Sequence, residues 1–583
     1  MNRPKTRTYL IALMFFLTPP ILLGESVDET LQRLTDKEWT FRLAESPQFA
    51  ASVGEAELET LTRVSQTDQD RRYQFYKQLL ADLSELDTQQ LTPQRQADYA
   101  IFHRQAWRAV SNFETRAYLI PFNSDWGFHI GLARIPQQFT LDSDAEAERY
   151  VAVLQDIPVV MDQYIDLMRE GLKVGMTQPR VVLEGRDKAI SIHIVDNVDD
   201  SVFFKPFSGS ELAFGDDTVA KGKRVVTESV IPAYQRLLDF WHQEYAPAAR
   251  ASLAATALPG GERYYRDQVR YYSTLDLQPS AIHQIGLEEV ARIRAEMMDV
   301  MADAEFEGDF DAFLQFLRTD PQFYATTPRE LLAAASYYSK RMDGRLPRLF
   351  KTLPRQPYGV EPVPEDLAPF FTGGRYSGAP IDSTRAGEYW VNTYNLPSRT
   401  LYTLPALTLH EAVPGHHLQN ALAAEQGDQP KFRRHEYISA YGEGWALYAE
   451  WLGVEVGIYE TPYEHFGRLT YEMWRACRLV VDTGLHTMGW KRQQAIDYLK
   501  SNTALSIHEI TTEIDRYISW PAQALSYKLG ELKIKELRQI SQQRLGSDFD
   551  VRDFHDVVLQ QGSVPLPVLE RAVNSWLDGL AEE

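Results

Sequence analysis

The chain has 583 residues, 44% of them hydrophobic and 24% charged, a globular composition with ample apolar content for a large core. Sixty basic against 81 acidic residues leave a formal charge of −21, which argues against nucleic acid as a partner because phosphate binding needs basic surface. The single cysteine, Cys477, excludes an internal disulfide.

At the N-terminus, Arg3, Lys5 and Arg7 precede an apolar stretch from Tyr9 to Leu23, and small residues follow at Gly24 and Ser26. This is the pattern of an export leader, so residues 1–26 are read as a signal peptide and the rest as a protein of a bacterial periplasm, where disulfides are permitted but not required. The alternative is an uncleaved leader anchoring the protein to the inner membrane, the only membrane contact expected. No cysteine stands at the leader's junction, which argues against a lipid-modified N-terminus.

Residues 27–583 carry no Gly/Ser linker, repeat or low-complexity block and are read as one domain, with an N-terminal helical part (27–275) and a part bearing the chemistry (276–583). Helix is predicted over 144–172, from Pro279-Ser280 through the periodic Ile282, Ile285, Val290, Ile293, Met297 and Met301, and over most of 466–499. Strand-like runs such as 180–183 are few and short. Five prolines between Pro354 and Pro369 predict an irregular surface connection, and Gly373-Gly374-Arg375-Tyr376 a mobile turn. The β-formers between Arg385 and Asn395 predict an edge strand. Such a strand would hold an extended peptide by strand addition, with Asn392 and Tyr394 as substrate-binding residues.

The next segment is the most informative. Thr408 to Gln419 places His410, Glu411, His416 and His417 within eight residues, the ligands and base that a zinc hydrolase needs. In the common short motif two histidines stand at i and i+4 on one helical face. Here i+4 is Pro414, which cannot ligate. At about 100° per residue, His416 at i+6 would point about 240° away from His410 on a straight helix. His417 at i+7 would share its face but lie about 10 Å along the axis. Pro414-Gly415 resolves the conflict if the helix bulges there and delivers His416, with His417 as the alternative metal ligand. His435-Glu436 and His508-Glu509 have no histidine within the next seven residues, so only His410-Glu411 reads as a site.

A catalytic zinc takes a third protein ligand. Glu443 is the candidate, since it is flanked by Gly442 and Gly444 at the start of an apolar run through Trp445, Leu447, Tyr448, Trp451 and Leu452. Glu450 shares its face two turns on and reads as a support. Arg478, Asp482 and His486 recur at i, i+4 and i+8 and predict a buried charge network, or a bond to a zinc ligand. Lys528 is a candidate for a terminal carboxylate.

The runs His410 to Gln419, Gly442 to Tyr448, Arg478 to His486, and Arg516-Tyr517 followed by Pro521 to Gly530 resemble those of the bacterial domain-of-unknown-function 885 family, over nearly all of the chain after its leader. That family is similar to the helical gluzincin peptidases, such as thimet-type oligopeptidases, the carboxypeptidase Taq type and angiotensin-converting enzyme. The resemblance implies a mainly α fold with two lobes around a deep cleft and a small β-sheet beside the zinc-motif helix. It also implies zinc bound by His410, His416 and Glu443, water activated by Glu411, and an oxyanion stabilised by Tyr527. Tyr517 is the second candidate for that donor and is read as substrate-binding. The function expected is hydrolysis of short peptides. A zinc hydrolase of another amide or ester is one alternative. An exported binding protein with a structural or vestigial metal site is the other, disfavoured because a structural site needs no base at Glu411.

Overall fold

The computed structural model describes residues 25–208, 214–365, 367–379, 384–427 and 429–582. All but the last two residues of the expected leader therefore lie outside the described residues. The chain is 70% helix and 4% strand. Helix α1 (Val27–Glu45) starts where the leader was expected to end, with Ser26 and Glu29 forming a reciprocal cap that satisfies two otherwise orphaned backbone donors. Helices α2 (Gln66–Ser84) and α3 (Pro93–Glu114) pack beside it, and the 31-residue α4 (Asp144–Val174) closes on a left-handed Gly175. Helix α5 (Pro279–Asp303) has the expected proline in its first turn.

The site-bearing half continues with α6 (Leu404–Glu411), α7 (His416–Ala424), α8 (Ser439–Glu455), α9 (Pro462–Thr487), α10 (Ile507–Ser519) and α11 (Ser526–Leu545). Helix α9 ends twelve residues before Leu499, because Gly489 at φ 71° turns the chain before the next helix begins at Arg492. One apolar core joins Leu31, Leu34 and Phe102 of the first helices to Leu409, Leu418, Trp445 and Tyr448 around the motif. The 275/276 boundary therefore does not divide this core. A second core, from Leu58 to Ala249, is built wholly from the N-terminal part around α4, and a third joins α5, α9 and α10 through Ile293, Met297, Cys477 and Ile514.

Three strands form one sheet in the order β1-β3-β2, comprising β1 (Tyr358–Pro362), β2 (Gly374–Ser377) and β3 (Gly387–Val391). β1 runs parallel to β3, with Tyr358 opposite Gly387, and β2 runs antiparallel, with Tyr376 opposite Tyr389. Three expectations change here. The proline-rich connection contains β1, whose Pro362 is tolerated because it ends an edge strand. The glycine-rich turn contains β2. The expected edge strand, β3, is central, since alternate burial of Gly387, Tyr389 and Val391 sets one face on the core, where the Tyr389 hydroxyl lies 3.3 Å from Thr408 Oγ1 of α6. The strand-like run 180–183 instead forms a 3₁₀ turn over Arg180–Val182, and the strand-like contact beside it is a bridge from the preceding Pro179 to Arg250.

Helices α8 and α11 cross at Gly444 and Gly530. A methyl on Gly444 would stand 2.5 Å from Gly530 Cα, and one on Gly530 would strike the Ala440 carbonyl. Backbone cannot yield as a flexible side chain does, so Gly530→Ala is expected to cost about 3 kcal/mol, the upper range for overpacking. Chemical denaturation followed by circular dichroism should show the midpoint falling. An unchanged midpoint would mean that the crossing is looser than these distances state.

Candidate metal centre

The motif helix breaks where a bulge was expected. α6 ends at Glu411; Ala412 leaves helical geometry at ψ −112°, the Val413-Pro414 peptide is cis, and α7 starts at His416. Gly415 lies against the carbonyls of Leu409 and His410, where any side chain would collide with both. The Pro414 carbonyl accepts a 2.8 Å hydrogen bond from Trp445 Nε1, which ties the break to α8. Two short helices meeting at an angle thus do what a straight helix forbids. The rings of His410 and His416 lie 4.8 Å apart and nearly perpendicular.

Glu443, on the first turn of α8, completes the group. Its Oε2 is 3.5 Å from His410 Nε2 and 3.4 Å from His416 Nε2, and the three donor atoms all lie within 4.8 Å of one another. Ligands bonded at about 2.0–2.2 Å in a tetrahedral shell are separated by about 3.3–3.6 Å. Two of these separations fall at that value, so the donor set fits a metal ion. Behind it, Glu450 Oε1 lies 2.8 Å from His410 Nδ1. This contact orients the ring and leaves Nε2 free for the cluster, the usual support of a metal-bound histidine.

The electrostatics favour positive charge at this point. Burial alone would push the His410 imidazole down, but Glu443 and Glu450 on its two nitrogens hold it up, at about 10. Burial likewise works against the Glu443 carboxylate, and the two imidazoles overcome it, keeping its carboxyl well below the usual range. Glu411 stands beside the cluster but outside it. Its Oε2 accepts a 2.9 Å hydrogen bond from the Tyr376 backbone N–H of β2. Among the described residues β2 pairs with β3 alone, so the edge that faces Glu411 belongs to β2.

His417 is not in the cluster. It is 1% exposed, packs its ring 4.6 Å from that of Tyr358, lies 3.1 Å from the Tyr376 hydroxyl, and is held neutral by burial, which pushes it down to about 4. Tyr527 stacks on the Arg478 guanidinium at 4.3 Å and accepts from Arg516 at 3.4 Å. Tyr437 went unnoticed in the sequence. Its hydroxyl donates to Glu443 Oε1 at 3.1 Å, while the residue as a whole is 48% exposed. It lies six residues before Glu443 on irregular chain, and no periodicity marks it.

Four other expectations are corrected by burial. Tyr517 is 1% exposed, and its hydroxyl is spent on Trp474, Arg478 and Glu513, so it supports the Arg478–Tyr527 stack and does not meet a substrate. Asn392 is fully buried and donates to the carbonyls of Ala368, Phe371 and Thr372, closing the loop before β2, while Tyr394 is half-exposed. Lys528 is fully buried among Glu289, Glu472 and Glu531 and cannot greet a terminal carboxylate. Arg478, Asp482 and His486 are buried but do not form one network. Asp482 binds the Tyr265 hydroxyl and the Ala522 N–H, His486 binds the backbone of Ala255 and Tyr517, and none of the three touches His410, His416 or Glu443.

Fold and site together define a mainly helical protein built around a buried His-His-Glu cluster of metal-ligand type. The chain belongs to the DUF885 family, described as bacterial protein of unknown function, whose profile matches residues 47–573. Among solved structures it is similar to one described as "the putative lipoprotein from Colwellia psychrerythraea", at 29% identity and a TM-score of 0.87, covering 95% of this chain and all of that one. It shares the fold of a lipoprotein of unknown function from Shewanella oneidensis, so described with the same qualifier, at 19% identity and a TM-score of 0.75, over 94% of this chain and 99% of that one. No curated protein matches the chain. Among the described residues no helix is long and apolar enough to cross a membrane.

Proposed function

We propose that this protein is an exported, periplasmic zinc peptidase of the helical gluzincin kind, hydrolysing short peptides in a cleft between two lobes. The observation that carries this reading is the cage of His410, His416 and Glu443 with a carboxylate outside it, Glu411, at its side. A structural metal site has no use for such a base. The descriptions of the two similar structures as lipoproteins support export.

In this reading His410, His416 and Glu443 would hold zinc, which supplies Lewis acidity toward the scissile carbonyl. Glu411 accepts the proton of the attacking water and delivers it to the leaving amine, while the Tyr376 N–H holds its carboxylate in place. The β2 edge offers its backbone to an extended peptide, the role first expected of β3. A phenol stays protonated near neutral pH and can donate to the developing oxyanion. Tyr527 fills that role, and Tyr437 braces Glu443.

The test is metal analysis of the purified protein together with product mapping by mass spectrometry on a mixed peptide library. About one zinc per chain and new peptide termini are expected. Bound zinc with no peptide cleaved would sink the peptidase reading. The two tyrosines should separate as well. Tyr527→Phe is expected to lower kcat by about 10²-fold with zinc retained. Tyr437→Phe should weaken zinc affinity about 10-fold, as loss of a ligand's support does. Competition with a chelating dye reads the second effect, and zinc binding unchanged in Tyr437→Phe would remove it from the site's support.

A further inference from the structure

A cavity of about 100 Å³ lies against the N-terminal part of α6, lined among others by Gly373, Leu407, Tyr471, Arg318, Arg399 and Glu509. Three features place it on the path of a substrate. Leu407, on the cavity wall, stands one turn before Glu411 on α6, a rise of about 6 Å along the helix axis. Gly373 leads directly into β2, whose Tyr376 N–H binds Glu411. Arg475 stacks on the cavity's Tyr471 at 4.6 Å and reaches within 3.7 Å of Glu450, the carboxylate behind His410.

The charges in this cavity are unbalanced. Arg318 spends its guanidinium on the carbonyls of Lys500, Thr503 and Leu505 and has no carboxylate partner within 4 Å among the described residues. Arg399 has neither a side-chain hydrogen bond nor an ion pair among the described residues, and its Nε is buried without a partner. Glu509 is the one acid on the wall. Burial pushes its carboxyl up to about 7 against the pull of Arg399, and the geometry gives no ion pair between the two side chains. An unpaired guanidinium in a partly buried cavity costs free energy unless an anion joins it, and its planar fork matches a carboxylate.

We infer that this cavity is a carboxylate subsite in which Arg399 binds an anionic group of the substrate within about two residues of the scissile bond, an inference that rests on the peptidase reading. The reach is taken from the rise of about 6 Å between the cavity's Leu407 and Glu411, against about 3.3–3.6 Å for an extended residue. The anion is a terminal carboxylate or an acidic side chain, and the substrates thereby selected are peptides with a free carboxyl end or with Asp or Glu at that position.

The test compares one peptide as free acid, as C-terminal amide, and as amide carrying a glutamate two residues from the cleaved bond. The amide is expected to show a KM about 10- to 100-fold above that of the free acid, the usual worth of a charge-assisted pair. Recovery in the glutamate amide assigns the side chain as the source, and no recovery assigns the terminus. In Arg399→Gln the amide-to-acid KM ratio should fall to about one, with Arg399→Lys intermediate because it keeps the charge and loses the fork. Thermal melts establish that both variants fold, and the peptide comparison in the wild type needs no variant. Equal KM for all three peptides in the wild type, or a ratio preserved in Arg399→Gln, would overturn the subsite. Calorimetric titration of the acid and amide into zinc-loaded Glu411→Gln protein separates the two readings. If no peptide is cleaved yet the acid binds tighter through Arg399, only the peptidase reading fails.

Discussion

Glu411→Gln is expected to lower kcat by about 10³-fold while leaving one zinc per chain and an unchanged melting temperature. The magnitude is that of removing a positioned general base, for which 10²- to 10⁴-fold is usual. The separation of effects comes from geometry. Glu411 is outside the group of His410, His416 and Glu443, so its replacement removes no ligand. Glutamine keeps an oxygen for the Tyr376 N–H, so β2 stays where it is. Metal analysis, a melt and steady-state rates on the same preparation decide the matter. Zinc lost with the activity would make Glu411 a ligand, and activity kept would remove the base from the mechanism.

The second large effect distinguishes two neighbouring histidines. His416→Ala is expected to lose zinc. Complete four-ligand sites bind with about 10–16 kcal/mol, so one ligand of such a set is worth about 3 kcal/mol, or about 10²-fold in affinity. His417→Ala should keep zinc and lose fold stability instead, because its ring fills space between Tyr358 and Tyr376 and lies outside the cluster. Zinc titration of both variants, with denaturation midpoints, reads the two outcomes independently. Zinc lost from His417→Ala and retained by His416→Ala would reverse the assignment. Because a metal that binds only the folded chain stabilises it by mass action, chelation should lower the wild-type midpoint and leave that of His416→Ala nearly unmoved.

Much of the centre was legible before any coordinates. Residue types at fixed spacing name His410, Glu411, Glu443 and Glu450, and helical geometry shows that His416 cannot join them through a straight helix. The form of the solution was not legible, since a bulge and a break both satisfy the spacing. What selects the break is contact from elsewhere: Trp445 on the Pro414 carbonyl, and the close packing of Gly415 on the end of α6. Tyr437 and Arg399 were invisible for a related reason, as each acts from irregular chain that only the fold brings to the site. The errors at Tyr517, Asn392 and Lys528 share one cause. A polar side chain in a motif looks the same in sequence whether it meets substrate or holds the core.

The sequence by itself determined the helical class, the long helices α4, α5 and α9, and the chemical identity of the cluster, because periodicity and ligand spacing are local properties of the chain. Tertiary structure alone decided which strand is the edge, which histidine turns toward Glu443, and which buried charges lack a partner. These depend on what lies across a helix crossing or a sheet register, and contacts between residues distant in the chain leave no period in it.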